Sequence, residues 1–523
     1  MKSEVSIEHL LVENAALKAE LSEVKQKLSW FMEQLSSNKR KLYGVSSEKS
    51  VYDGKFVQTD LFLDDHTVVI EHTAPAETSA PLRERPRKKG ELSTRLPASL
   101  PVETVECVLP DDEQICGVCG EPLHEIGKEV ARKELKIIPP KAIVIEYIRH
   151  AYACRECEKT AEKVPVVKAL LPPQVIKGSI CAPETLAHIA VQKCVMGSPL
   201  YRQEQDWRRN GIHITRQTMA NWLIRCSEDY LEPVYDELHR RLLLRRFLHS
   251  DDTVFQVLRE PGKSPQSESR MWIYRTSGEA KHPIVLYDYQ PDRRQERPRD
   301  FLKGFSGYLM TDGYASYHNL PDDIIVVGCF AHVRSRFTDA LKCLKEHDRS
   351  DSLALVGKKY CDELFELERE IADKTYDERF AIRNKQALPI LNGFHAWLQS
   401  VEPHVSPKSK LGTAVGYTLK QWKYLIRYLL DGRIEISNNR AERSVKPFVI
   451  NRKNFLFSTS VAGAKATAIF HSITETAKES GLNPFKYITH VLQSASAGNI
   501  RQDADLLLQL LPENAPDSCK AIL

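Results

Sequence analysis

The first forty residues repeat in sevens, and that repeat dictates how they can fold. Ile7, Asn14, Leu21, Leu28, Leu35 and Leu42 recur at heptad spacing, and Leu10, Leu17, Val24, Phe31 and Asn38 fall three residues after the first five. These are the a and d positions of a coiled coil, a narrow apolar seam that needs a partner helix. Asn14 at an a position lowers stability but favours a parallel pair in register. Glu13 precedes Lys18, and Glu20 precedes Lys25, at the spacing that faces opposite charges across such a pair. The expectation is a dimerisation helix over residues 1–50, giving a homodimer or higher oligomer. A single amphipathic helix docked on its own chain is the alternative.

Periodicity stops from Tyr52 to about Pro101. HTAPAETSAPLRERPRKKGE is rich in Pro, Ala, Ser and charge, so residues 51–100 read as a flexible basic linker. The chain is therefore multidomain, as 523 residues allow. Hydrophobic residues at 42% and charged residues at 28% suit a soluble protein. No apolar run has the roughly 18–20 residues of a membrane helix, and MKSEVSIEHL lacks a signal core. A cytoplasmic protein without membrane contact is expected. The net charge of +4 hints only weakly at an anionic partner. Basic residues bunch at Arg83 to Lys89 and at Arg240, Arg241, Arg245 and Arg246, where a solvated face is an equal reading.

Cys116 and Cys119, then Cys154 and Cys157, form two pairs with a two-residue gap. Four thiolates at that spacing close a tetrahedral structural Zn²⁺ site with no open position. A small zinc-binding domain is expected over residues 101–175, with AIVIEYIRHAY as a strand between the pairs. Cys107, His124 and His150 are substitute ligands, and a redox pair is the competing reading.

Residues 176–246 turn helical. PLYRQEQDWRRNGIHITRQTMANWLIRC reads as a helix, a turn at Gly211 and a second helix capped near Thr215. Ile214, Met219, Trp222 and Leu223 would pack it and leave Arg216, Gln217 and Asn221 exposed for DNA. An ordinary helical hairpin is equally compatible.

Three acids stand in unusual settings. Asp251, with Asp252 beside it, interrupts the strand-like FLHSDDTVFQVL. Asp312 ends an apolar run and is followed by Gly313, and Glu442 falls in the first turns of a helix opened by Ser437 or Asn438. Carboxylates from two strands and a helix suit two hard Mg²⁺ (or Mn²⁺) ions at an in-line phosphoryl displacement. Strand-end turn formers are the plainer explanation. Arg440, Arg443 and Lys446 flank Glu442, and Arg440 and Lys446 are candidate phosphate contacts.

The order of these motifs resembles the DDE transposases of the bacterial insertion sequence sixty-six family, specifically their large catalytic protein. The N-terminal heptads with LYGVSSEKS, then CGVCG with CREC, PLYRQEQDWRRNGI, HSDDT, TDGYASY, CFAHVRSRF, SNNRAERSVKPF and GLNPFKYITHVL carry the likeness along most of the chain. The resemblance implies a multidomain α+β protein with an RNase H-like α/β catalytic core over residues 247–465. That core would carry a helical insertion at about 338–430, followed by a C-terminal helical segment and tail over 466–523. It maps the catalytic acids onto Asp251, Asp312 and Glu442, and favours Asp251 over Asp252. It also places His332 near the site, with acid–base work, phosphate contact and packing all open as its role. The implied activity is metal-dependent cleavage at mobile-element ends and strand transfer into target DNA, with small accessory proteins as further partners. A non-catalytic zinc-containing DNA-binding scaffold and a metal nuclease without joining activity are the rivals.

Overall fold

A computed structural model describes residues 142–153 and 166–521. The coiled-coil helix, the basic linker and the cysteines Cys107, Cys116, Cys119, Cys154 and Cys157, with His124, lie outside the described residues. Residues 142–148 belong to one unit and the chain from Arg149 onward to another. The strand expected over AIVIEYIRHAY shrinks to β1 (Ala151–Ala153), paired antiparallel with β2 (Val166–Lys168). The alternation misleads because, among the described residues, no core takes up one face: Ile143, Val144 and Ile148 are 80%, 89% and 79% exposed. His150 is likewise exposed.

The helical segment comprises α1 (Pro183–Cys194), α2 (Leu200–Arg209), α3 (Arg216–Cys226) and α4 (Glu232–Leu243), the last two joined by a π-helical turn. Gly211 reverses the chain between α2 and α3 with φ of 78°, a conformation that favours glycine. Thr215 caps α3 by accepting the Thr218 N–H at 3.2 Å. Met219, Trp222 and Leu223 are buried, while Ile214 packs against them half-buried.

β3 (Phe247–Arg259), β4 (Glu268–Thr276) and β5 (Val285–Gln290) form an antiparallel meander. After α5 (Glu296–Phe301), β6 (Gly307–Met310) and β7 (Ile324–Val327) continue the sheet in parallel, giving the order β5-β4-β3-β6-β7. Both faces are covered. Trp272 and Tyr274 enter one apolar core, and Met271 and Ile273 enter another, as period-two alternation requires.

Five helices follow: α6 (Phe330–Cys343), α7 (Leu353–Glu370), α8 (Tyr376–Ile382), α9 (Leu388–Val401) and α10 (Lys410–Leu425). They share a core of Phe337, Leu364, Leu391, Phe394 and Leu398. Gly357 lets α7 approach the Phe337 ring, since a Cβ there would lie 2.4 Å from a ring carbon. Arg383, fully buried, donates from Nε and Nη2 to Glu368 at 2.7 Å each, and from Nη1 to the carbonyls of Tyr428 and Asp431.

The chain then returns to the sheet through α11 (Asn439–Phe455), β8 (Ser458–Ser460), α12 (Val461–Glu479), α13 (Pro484–Ala497) and α14 (Ala504–Gln509). β8 pairs in parallel with the far end of β3. α12 is buried along most of its length and uses hydroxyls to satisfy the outer edge of β5. Ser472 Oγ accepts the Tyr287 N–H, and Thr476 Oγ1 accepts from Val285 N and donates to its carbonyl. An edge strand covered this way offers no free ladder to another chain. Among the described residues no helix is long and apolar enough to cross a membrane.

Two predictions follow from the buried polar groups. Arg383→Met leaves Glu368 with only the 3.3 Å contact from Arg379. The expected loss is about 3–5 kcal/mol, read as a lowered Tm by circular dichroism, and an unchanged Tm contradicts it. His471 is fully buried, with Nδ1 donating to the Thr467 carbonyl and Nε2 accepting from Asn451 Nδ2, so the neutral ring is fully bonded. Burial, reinforced by the charge of Lys193, lowers its pKa from 6.5 to about 3. The unfolded chain therefore takes up a proton that the folded chain refuses. Stability should fall as pH drops through this window, by at most about 1.4 kcal/mol per pH unit from this group. Equal acid slopes in wild type and His471→Gln would remove His471 as the cause.

Candidate active site

The site begins with a strand register. Phe247, Leu248 and His249 pair in parallel with Tyr308, Leu309 and Met310. Asp251 and Asp312 each follow two residues beyond the last of these pairs, His249 with Met310. β6 has ended by then, and the chain turns: Asp312 Oδ1 accepts the Tyr314 N–H at 2.9 Å, and Gly313 takes φ of 86°. A Cβ on Gly313 would lie 2.9–3.0 Å from Gln421 and Tyr417. Those α10 side chains hold the turn, Tyr417 Oη donating to the Asp312 carbonyl at 2.7 Å and Gln421 Nε2 to the Gly313 carbonyl at 3.2 Å.

Asp251 is 9% exposed and accepts the Asp252 N–H. Burial first, and the nearby Asp312 charge second, push its pKa well above the usual carboxylate range, against an opposing effect of His332. Asp252 has different surroundings. Its side chain is 1% exposed and is gripped by Arg293 at 2.7 and 3.0 Å and by Arg270 at 3.4 Å. Two guanidiniums occupy it, whereas Asp251 has none. Arg293 also lies 3.9 Å from Asp312 Oδ2 and stacks on the Tyr314 ring at 3.5 Å.

His332 stands in the first turn of α6, with Nδ1 3.6 Å from Glu442 Oε1 in the first turn of α11. Burial pulls the ring's pKa down, but the Cys329 sulfur, Glu442 and Asp312 outweigh it and raise it to about 10. His332 is thus the group that senses all three acids: Asp251 and Asp312 electrostatically, and Glu442 through a near contact.

Asn438 is the N-cap residue of α11, yet its side chain makes no cap bond. Instead, Nδ2 donates to the Ser250 carbonyl at 2.9 Å and Oδ1 accepts from His249 Nδ1 at 3.1 Å. The Asn438 N–H donates to Cys329 Sγ at 3.1 Å. One fully buried residue thus ties together β3 before Asp251, the start of α6 before His332 and the start of α11 before Glu442. Burial holds the His249 ring neutral, lowering its pKa to about 4, which suits its role as donor to Asn438.

The basic candidates divide. Arg440 is engaged by Glu435 at 2.8 Å, while Arg443 and Lys446 are exposed. On α3, Arg216, Gln217 and Asn221 are exposed, with Gln217 Nε2 donating to Asn221 Oδ1 and Arg216 lying over the Tyr201 ring. Sequence reasoning missed Arg293, the bridging role of Asn438, and Cys329. Only Cys329 had a local signal, its three-residue spacing from His332. Asn438→Ala should cost about 1–3 kcal/mol, because the Ser250 carbonyl and the His249 ring lose their buried partner. A Tm equal to wild type would contradict the bridging role.

The comparisons with known proteins agree along the chain. Residues 178–466, more than half of it, match the family described as Transposase IS66 family. Residues 113–158 match the zinc-finger binding domain of transposase IS66, a span that includes Cys116, Cys119, Cys154 and Cys157. Residues 30–105 match a leucine-zipper segment described as Transposase C of IS166 homeodomain. The uncharacterized protein y4jD of Sinorhizobium fredii is 30% identical over 495 residues, covering 91% of this chain and 92% of its own. The uncharacterized protein y4qI of the same organism is 32% identical over 387 residues, covering 71% and 69%. With a zinc-binding domain ahead of a mixed α/β core, the chain belongs to the IS66 family of transposases.

Proposed function

We propose that this transposase cleaves phosphodiesters at the ends of a mobile element and joins the freed 3′-hydroxyl to target DNA, with Asp251, Asp312 and Glu442 as its catalytic acids. The observation that supports this reading is the influence of Asp312 on the buried Asp251, each acid lying two residues beyond the last β3–β6 pair, His249 with Met310. The order β5-β4-β3-β6-β7, flanked by helices, supports an RNase H-like core, and α7 to α10 fall within the expected insertion at about 338–430.

The donors fit hard divalent cations. Among the described residues Asp251 has no guanidinium partner, and burial first and Asp312 second destabilise its anion, so an added positive charge would be stabilised there. Two Mg²⁺ (or Mn²⁺) ions held by Asp251, Asp312 and Glu442 would supply activation of the attacking oxygen and stabilisation of the leaving oxygen. The chain's own groups do the rest. Arg293 fixes Asp252 and faces Asp312, leaving the carboxylate pair in one arrangement. His332 holds a proton beside Glu442 and limits where that carboxylate can go. Lys446, one turn beyond Glu442 on α11 and exposed, would neutralise a backbone phosphate. Arg216, Gln217 and Asn221 would contact the element ends from α3. The N-terminal heptads would pair two protomers, so that two ends are cut in one assembly.

Asp312→Asn keeps the shape and removes the charge. It should lower cleavage of an end-containing duplex by about 10³-fold or more, equivalent to about 4 kcal/mol, while DNA binding is retained. Cleavage at the wild-type rate would sink the assignment. Joined products from the wild type separate a transposase from a nuclease.

A further inference from the structure

One sulfur beside the carboxylates has no part in that chemistry. Cys329 is the N-cap residue of α6, and His332 follows one turn later. Cys329 Sγ, a ring nitrogen of His332 and a carboxylate oxygen of Glu442 all lie within 4.8 Å of one another. Hard Mg²⁺ gains nothing from a thiolate, whereas a sulfur–nitrogen–oxygen set suits a borderline ion. Two further observations point the same way. His332 Nδ1 is a buried atom with no hydrogen-bond partner, and its 3.6 Å separation from Glu442 exceeds hydrogen-bond length. Cys329 Sγ is fixed beside the other two donors by the Asn438 N–H, and a metal bound here would displace the Cys329 and His332 protons.

We propose that Cys329, His332 and Glu442 form a separate binding site for Zn²⁺, with three protein ligands and a fourth position open. In a tetrahedral site sulfur and nitrogen ligands stand about 3.5 Å apart, so atoms that all lie within 4.8 Å of one another need only a small closure. Cys329, 1% exposed, is the fixed ligand, and the half-buried side chains of His332 and Glu442 supply the movement and the entry path. Because Glu442 is shared, Zn²⁺ bound here withdraws it from Asp251 and Asp312. The site therefore acts as an inhibitory metal switch on the catalytic acids. The binding itself goes beyond the phosphoryl-transfer reading, because it is measured without DNA.

The test uses the intact, zinc-containing chain in excess Mg²⁺ under reducing conditions. Co²⁺ is added, thiolate-to-cobalt absorption is recorded, and total zinc plus cobalt per chain is counted by elemental analysis. The wild type should hold one more ion per chain than Cys329→Ser, with charge-transfer absorption that added Zn²⁺ removes. His332→Ala should lose the same ion, and it keeps the test decisive if Cys329→Ser fails to fold. Equal metal counts and equal spectra in wild type and His332→Ala overturn the proposal. Cleavage by Asp312→Asn bears on the other reading alone.

Discussion

Asp251 is buried beside Asp312 where a parallel strand pair ends, and the repulsion between these two carboxylates is the constraint that the surrounding structure answers. Burial is the larger part of the cost of the Asp251 charge, and the Asp312 carboxylate adds to it. The compensation is drawn from several elements. The Asp252 and Tyr314 N–H groups bond the two carboxylates, Arg293 approaches from the loop after β5, and His332 approaches from α6. None of these groups is local to both acids, so the site exists only when sheet and helices have docked.

The docking is correspondingly rigid. Arg275, nearly fully buried on β4, donates to Ser444 Oγ and the Arg440 carbonyl of α11 and to both oxygens of Glu479 at the end of α12. Bidentate pairing of this kind fixes orientation as well as distance. α12 in turn bonds the edge of β5 through Ser472 and Thr476. The meander is therefore clamped at its outer strand and at its centre, and Asn438 completes the frame from the other side of Glu442. Apolar burial alone, being non-directional, would not set the acids to this register.

What the sequence made legible follows the range of the interactions involved. Asp251 and Asp312 stood out because a carboxylate inside an apolar strand segment is costly unless something nearby wants it. The turn between α2 and α3 was legible because Gly211 and Thr215 act within a few residues. The strand expected at AIVIEYIRHAY failed for the opposite reason: alternation describes a face, and whether a core meets that face is tertiary information. Asn438 was legible as a helix start, but its side chain leaves the helix to bond residues 188 and 189 positions away. Arg293 pairs with Asp252 across 41 positions and has no neighbouring signal. The zinc-binding domain was legible from cysteine spacing alone, because tetrahedral thiolate ligation demands short knuckles.

The three acids are not held alike, and that difference bears on how such a site can be controlled. Asp251 and Asp312 are positioned by a hydrogen-bonded ladder and a braced turn, neither of which moves without unpairing backbone. Glu442 is positioned by a helix, through a flexible side chain whose near neighbours are His332 and Cys329. On the two proposals it has partners of different hardness: Asp251 and Asp312 around Mg²⁺, and His332 with Cys329 around Zn²⁺. If both proposals hold, rotation of one side chain would change which set is complete. Control at this position would then need no rearrangement of the core, only a change in which cation is present.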